Sequence, residues 1–175
     1  ALQVTCHDDS RITIPVPSEV GEVAVQTRRD ADALELELAG SRDGIDSALL
    51  AALPDSSLVF WYPSGSTSPR LLQNPSEADS GFGEALAVLR TEEHPLGVIG
   101  DLSDEDQGRL WIIDLPPTGT ASVLGCVEGD SGFGRVLASG RFTEPEVDDL
   151  AISSDERVTV LPQAALLEAL SASPS

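Results

Sequence analysis

Apolar positions along this chain fall in short, β-branched-rich runs broken by clusters of Pro, Gly, Ser and Asp. The clearest runs are Arg11–Val16, Glu22–Gln26, Ala33–Leu38, Ser57–Tyr62, Leu96–Gly100, Arg109–Asp114, Ser122–Val127, Arg135–Ala138 and Val158–Leu161. Runs of this length between turn-forming clusters predict strands. Leu34-Glu35-Leu36-Glu37-Leu38 alternates strictly, as a strand with one apolar face does. Ser64-Gly65-Ser66 and Pro117-Thr118-Gly119 predict hairpin turns. Helical spacing is rare. Gln163–Ser171 is rich in Ala and Leu and follows Pro162, a residue suited to a helix start. Asp46–Leu53 reads as a short helix by itself and as a strand by comparison with the rest of the chain. The pattern predicts an all-β fold in a single domain over residues 1–175, with a short C-terminal helix and loose tail at 163–175.

One phrase occurs twice. Asp79-Ser80-Gly81-Phe82-Gly83 returns as Asp130-Ser131-Gly132-Phe133-Gly134, 51 positions on. Weaker similarity continues on both sides without a gap. Val59-Phe60-Trp61-Tyr62 lies over Leu110-Trp111-Ile112-Ile113, Ala85-Leu86-Ala87 over Val136-Leu137-Ala138, and Arg90 over Arg141. A period near 50 residues predicts a repeat architecture, in which one unit needs its neighbours to bury its apolar face. Units near 8–40, 41–78, 79–129 and 130–162 account for the chain. The first and second are anchored by Ser10–Val25 and Asp43–Phe60, the last by Asp148-Asp149-Leu150-Ala151-Ile152 before Arg157–Val160.

These segments together resemble the FG-GAP repeat of integrin-α-type β-propellers. That unit runs from Phe-Gly through a strand, an acidic loop and an Asp-Leu-Ala-Val-like strand to a Val-rich hairpin. The resemblance implies a β-propeller-like array of about three to four units of short antiparallel strands. Phe beside Gly suits a ring wedged between sheets while the backbone passes close by. Family members usually have about seven blades, so the resemblance also implies a partial, open or assembled propeller.

Composition narrows the partners. There are 30 Asp and Glu against 10 Arg, no Lys, and a formal charge of −20. Such a chain does not suit nucleic acid, whose phosphates need cations, or anionic membrane surfaces. No apolar run approaches the roughly 18 residues of a membrane-spanning helix. The chain starts at Ala1 without Met, which is expected of a processed or fragmentary chain. A secreted or extracytoplasmic protein is the first expectation, and a cytoplasmic one the alternative. Cys6 and Cys126 are a candidate disulfide in an exported protein, or two free thiols.

The resemblance directs attention to Ca²⁺, which many family members hold in the acidic loop after the Phe-Gly strand. A Ca²⁺ loop needs clustered carboxylates and carbonyls around a sharp turn. The candidates here are Asp43, Asp46, Glu144, Asp148 and Asp149. Arg141 and Arg90 stand where the first acidic ligand belongs, and Leu96 replaces the closing Asp. A guanidinium neutralises carboxylates without metal, so the expectation is an Arg141–Asp149 pair and no cofactor.

Gly129-Asp130-Ser131-Gly132 matches the nucleophile motif of chymotrypsin-like serine hydrolases, and His7-Asp8 supplies further triad letters. Yet the motif recurs at Asp79-Ser80-Gly81, Phe133 replaces the usual Gly, and neither His7 nor His94 has suitable flanks. No catalytic residue is therefore assigned. Leu115-Pro116-Pro117-Thr118-Gly119 has the letters of a sortase signal but lies far from the C-terminus. Trp61, Tyr62 and Trp111 are expected to pack between units rather than form a carbohydrate platform. The functional expectation is a non-enzymatic binding or scaffold module that recognises a protein through its loops. The alternatives are a subunit completing a larger propeller with a partner chain, and a serine hydrolase.

Overall fold

A computed structural model describes residues 2–5, 11–14, 25–27, 36–40, 48–54, 57–63, 66, 68–75, 81–102, 108–155 and 157–172; up to residue 40 and at Leu53 and Ala172 it describes backbone alone. The described fold is mostly β, in antiparallel sheets, with one short helix. β1 (Leu2–Thr5) and β2 (Arg11–Ile14) form a two-stranded sheet. β3 (Val25–Thr27), β4 (Leu36–Gly40), β5 (Ala48–Leu53), β6 (Leu58–Pro63) and β7 (Arg70–Leu72) form a five-stranded sheet in sequence order. β8 (Leu86–Leu89), β9 (Leu96–Leu102), β10 (Gly108–Asp114) and β11 (Ser122–Gly129) form the next, again in order. β12 (Leu137–Gly140), β13 (Asp149–Ser153) and β14 (Val158–Leu161) form the last, followed directly by α1 (Gln163–Ala172). Asp46–Leu53, ambiguous in sequence, contributes strand β5, because its apolar residues pair with β4 and β6.

The five-, four- and three-stranded sheets pack face to face. The β8–β11 sheet turns its rear face to the five-stranded sheet and its forward face to the three-stranded one, and the same senses apply to its neighbours. Ala48, Leu50, Ala52, Val59 and Trp61 on the forward face of the five-stranded sheet pack with Leu86, Val88, Ile99 and Ile113 on the rear face of the β8–β11 sheet. Ala85, Ala87, Val98, Leu110 and Ile112 on the forward side of that sheet pack with Leu137, Leu150 and Ile152 of the last. β8 accordingly lies against β4 and β5 as well as β12 and β13. A strand buried on both faces has no polar side to show. This is why Leu86-Ala87-Val88-Leu89 is continuously apolar and continuously buried, whereas β6 alternates. Helix α1 sends Leu166 into the second cluster, with Leu170 packed beside it.

The Gly-Phe-Gly part of the doubled phrase makes three matching backbone hydrogen bonds in its two copies. Glu84 N–H donates to Gly81 O at 3.0 Å, and Arg135 N–H to Gly132 O at 3.2 Å. Gly83 N–H donates to Gly100 O, Gly134 N–H to Ser153 O, Gly100 N–H to Ala85 O, and Ser153 N–H to Val136 O. These bonds match Gly83 with Gly134 and Gly100 with Ser153. The loop at 141–148 therefore takes the place of the shorter 90–95 loop, so the two copies do not align without a gap.

Glycine at the last position of each phrase answers two demands. Gly83 and Gly134 have φ of 100° and 81°, the region that a Cβ disfavours. Each also abuts the sheet before it: a Cβ on Gly83 would stand 2.9 Å from Ala52 Cβ, and one on Gly134 2.5 Å from Leu110 Cδ2. Phe82 is fully buried between the sheets. Phe133 rests on Gly108 and Gly129, which face each other across β10 and β11. A Cβ on Gly108 would lie 1.7 Å from the Phe133 carbonyl oxygen. Because that neighbour is backbone, it has no rotamer by which to yield. Gly108→Ala is expected to destabilise the fold by about 1–3 kcal/mol, a Tm loss of about 2–4 °C per kcal/mol. A thermal melt by circular dichroism reads this, and an unchanged Tm would contradict the close approach.

Candidate functional site

Asp148 and Asp149 open strand β13, at the end of the 141–148 loop. Adjacent strand residues point to opposite sides, and the two carboxylates have different surroundings. Asp149, paired across the ladder with Gly140, is 1% exposed. Its Oδ2 accepts the Phe142 and Thr143 amides at 3.1 and 2.7 Å and the Thr143 hydroxyl at 2.9 Å. Its Oδ1 accepts the Gln163 amide at the start of α1, at 3.3 Å. Burial by itself raises the Asp149 pKa. The Thr143 donors, with Gln163 and Phe142, outweigh it and hold the group below the ordinary value of 3.8.

Asp148 serves two arginines from equivalent places in successive sheets. Its Oδ2 accepts the Arg90 amide at 3.0 Å, and its Oδ1 lies 3.9 Å from Arg90 Nη2 and 3.8 Å from Arg141 Nε. The expected Arg141–Asp149 pair is thus not the one made. The backbone of its own loop has already occupied Asp149, and Arg141 reaches the neighbouring carboxylate. Gln163, 8% exposed, donates through Nε2 to Arg90 O at 2.7 Å and Asp148 O at 3.1 Å. One side chain from α1 thereby ties the loop after β8 to the loop after β12. Nothing in the sequence pattern marked Gln163, beyond its place after Pro162.

Of the candidate cation ligands, Glu144 is exposed, Asp148 faces two guanidiniums and Asp149 is engaged at both oxygens. Asp43 and Asp46 lie outside the described residues. Among the described residues, no group of three or more His, Cys, Asp or Glu is placed to hold a metal ion. Cys126 is an exposed free thiol on β11, and Cys6 lies outside the described residues.

Ser131 sits in the second copy of the turn, where its Oγ donates to Asp155 Oδ2 at 2.7 Å. The Asp155 amide donates back to Ser131 O at 3.2 Å. The pair clamps the Phe-Gly turn to the β13–β14 turn. A serine nucleophile needs a base, itself oriented by a third group; here the hydroxyl bonds a carboxylate directly. His94 lies in the loop after β8, where the Thr91 hydroxyl donates to its carbonyl at 2.6 Å. His7 is outside the described residues.

An open groove of about 340 Å³ separates β7 from the β10–β11 hairpin, lined by Trp61, Arg70, Leu71, Ile113, Gly119 and Val123 among others. Arg70 spans it, with its guanidinium 4.9 Å from the centre of the Trp61 ring and Nη1 donating to Gly119 O. A cation over an indole face is attracted by the ring quadrupole. Trp61 is only 1% exposed, so its ring is packing rather than a platform. Trp111, half-buried, repeats the motif with Arg109 at 5.4 Å and donates through Nε1 to Asp101 Oδ2 at 2.9 Å.

A carboxylate with a depressed folded-state pKa stabilises the fold above its unfolded value, and that contribution is lost as pH falls through the folded value. Asp149→Asn is expected to cost about 1–3 kcal/mol at neutral pH and to flatten the acid limb of the Tm–pH curve. If the variant keeps the parent's acid limb, the acid-sensitive carboxylate lies elsewhere.

No protein-family model matches the chain, and no curated protein matches it.

Proposed function

We propose that the chain is a non-enzymatic, extracytoplasmic recognition or scaffold module of β-propeller type. The observation that carries this reading is the doubled Phe-Gly turn. Its two copies share three backbone hydrogen bonds and open successive antiparallel sheets, and the glycine of each abuts the sheet before it. Sheets that pack in series through their first strands suit blades arranged about an axis. Loops then project from a rigid scaffold, and such loops carry recognition. The partner is a protein. The formal charge of −20 disfavours polyanions and favours a surface with complementary basic groups.

The loop at 141–149 works in this reading as a tie between sheets and not as a Ca²⁺ site, because Arg90, Arg141 and Gln163 occupy the places a cation needs. A ligand that binds only the folded state raises stability. Millimolar Ca²⁺ is expected to leave the Tm of the protein unchanged, and a reproducible rise would return the metal to the 43–46 or 141–149 loop. Ser131 is expected to resist an active-site serine phosphonate; stoichiometric labelling there, read by peptide mass, would replace the scaffold reading with a hydrolase. The architecture itself is tested by a crystal structure. Strands β4, β8 and β12 are expected nearest a common axis, and a flat parallel stack would end the propeller reading.

A further inference from the structure

Two donors in the groove between β7 and β11 lack the partners such groups ordinarily have. The groove, of about 340 Å³, lies where the edge strands of two packed sheets part. Trp61, Arg70 and Leu72 line it from the five-stranded sheet, and Ile113, Ala121 and Val123 from the next. Arg70 is exposed and stands directly across the ladder from Trp61. Arg90, Arg109, Arg135, Arg141 and Arg157 each have a nitrogen 2.8–3.9 Å from an Asp or Glu oxygen. Among the described arginine side chains, Arg70 alone has no such partner, in a chain with 30 Asp and Glu. Its guanidinium rests on the Trp61 ring and gives an N–H to Gly119 O. A guanidinium has five N–H donors, so this one bond leaves it able to grip a carboxylate with two more.

The second donor is the Trp61 indole. Its Nε1 is buried and has no hydrogen-bond partner, whereas Trp111 Nε1 donates to Asp101. A buried N–H without an acceptor costs free energy, and a ligand oxygen beside it removes that cost. Among the described residues lining the groove there is no Asp or Glu, and Leu72, Ile113, Ala121 and Val123 make its walls largely apolar. A cation, an unpaired N–H and apolar walls suit an acceptor that carries negative charge and an apolar body. The formal charge of −20 repels an acidic peptide more than it repels a single carboxylate. Concavities of this size take small molecules.

We propose that the groove binds a small aliphatic monocarboxylate, its carboxylate on Arg70 and the Trp61 indole N–H and its chain against Leu72, Ile113 and Val123. The site lies between two packed sheets. It depends neither on recognition by the loops nor on the arrangement of the sheets about an axis.

Octanoate is the probe, and the indole N–H resonances of the two tryptophans of the full chain are the readout. Loss of one resonance in Trp61→Phe assigns them. Octanoate is expected to shift the Trp61 resonance saturably, with a Kd of about 1 mM or below. The Trp111 resonance, already bonded to Asp101, is expected to stay in place. Octanamide has the same shape without the charge and is expected to bind at least about tenfold more weakly. Arg70→Gln is expected to abolish the shift, and Arg70→Lys, which keeps the charge without the planar fork, to recover only part of it. Circular dichroism confirms that both variants fold. Arg109→Gln removes the other guanidinium that lies over a tryptophan and is expected to bind octanoate as the wild type does. A Trp61 resonance that octanoate leaves in place, or moves equally in R70Q, overturns the proposal. So does octanamide binding as tightly as octanoate. Acetyl-Gly-Gly-Leu carries a carboxylate on a peptide; if it binds about tenfold more tightly than octanoate, the occupant is a peptide C-terminus and the small-molecule assignment falls.

Discussion

The described fold depends on burying both faces of the β8–β11 sheet at once. Its forward and rear sides each feed an apolar cluster, and neither cluster exists without a neighbouring sheet. Burial of a Leu, Ile or Val side chain contributes about 1.5–3 kcal/mol, so the two interfaces together outweigh any hydrogen bond or ion pair in the molecule. Close approach is the condition for this, and glycine supplies it. Gly83, Gly108, Gly129 and Gly134 all stand where a Cβ would collide with the adjoining sheet or with Phe133. The Phe-Gly turns are thus packing devices first.

Polar groups then fix the register between sheets that apolar packing leaves loose. Asp148 accepts from Arg90 of one sheet's loop and faces Arg141 of the next, and Gln163 joins both to the helix. Arg70 makes a second tie by crossing from β7 to the turn before β11. Partly exposed ion pairs contribute little, on the order of 0–1 kcal/mol. The buried Asp149 differs, because four donors converge on it and its loss would leave them without an acceptor. In the 141–149 loop the buried carboxylate of Asp149 closes the chain on itself.

Much of this was legible in the sequence, and the failures have definite causes. The hairpin turn at Pro117–Gly119 and the helix after Pro162 follow from local chemistry, and they fall between or after the strands expected, whereas Ser64 and Gly65 lie outside the described residues. The strand Leu86–Leu89 was visible only through its likeness to Val136–Ala138, because a strand buried on both faces has lost its alternation. The gapless alignment of the two copies failed beyond the Phe-Gly strand, since loop length varies freely where the ladder does not constrain it. The Arg141–Asp149 pair failed because residue spacing does not reveal which of two adjacent carboxylates the backbone will claim. Cation–π contact between Trp61 and Arg70 joins separate strands, and no local pattern announces it.

The sequence by itself determined that this chain would make short antiparallel strands and that one Gly-Phe-Gly turn would recur 51 residues on. Those properties reside in composition, in short-range spacing and in the torsional needs of glycine. Tertiary structure alone decided the rest. It set which face of the β8–β11 sheet meets which neighbour and which carboxylate answers to which arginine, and it left Val136, Val158 and Val160 exposed on the last sheet. These are relations between residues far apart in the chain. They are settled when sheets meet, because burial and hydrogen-bond satisfaction are properties of a site in space and not of a stretch of sequence.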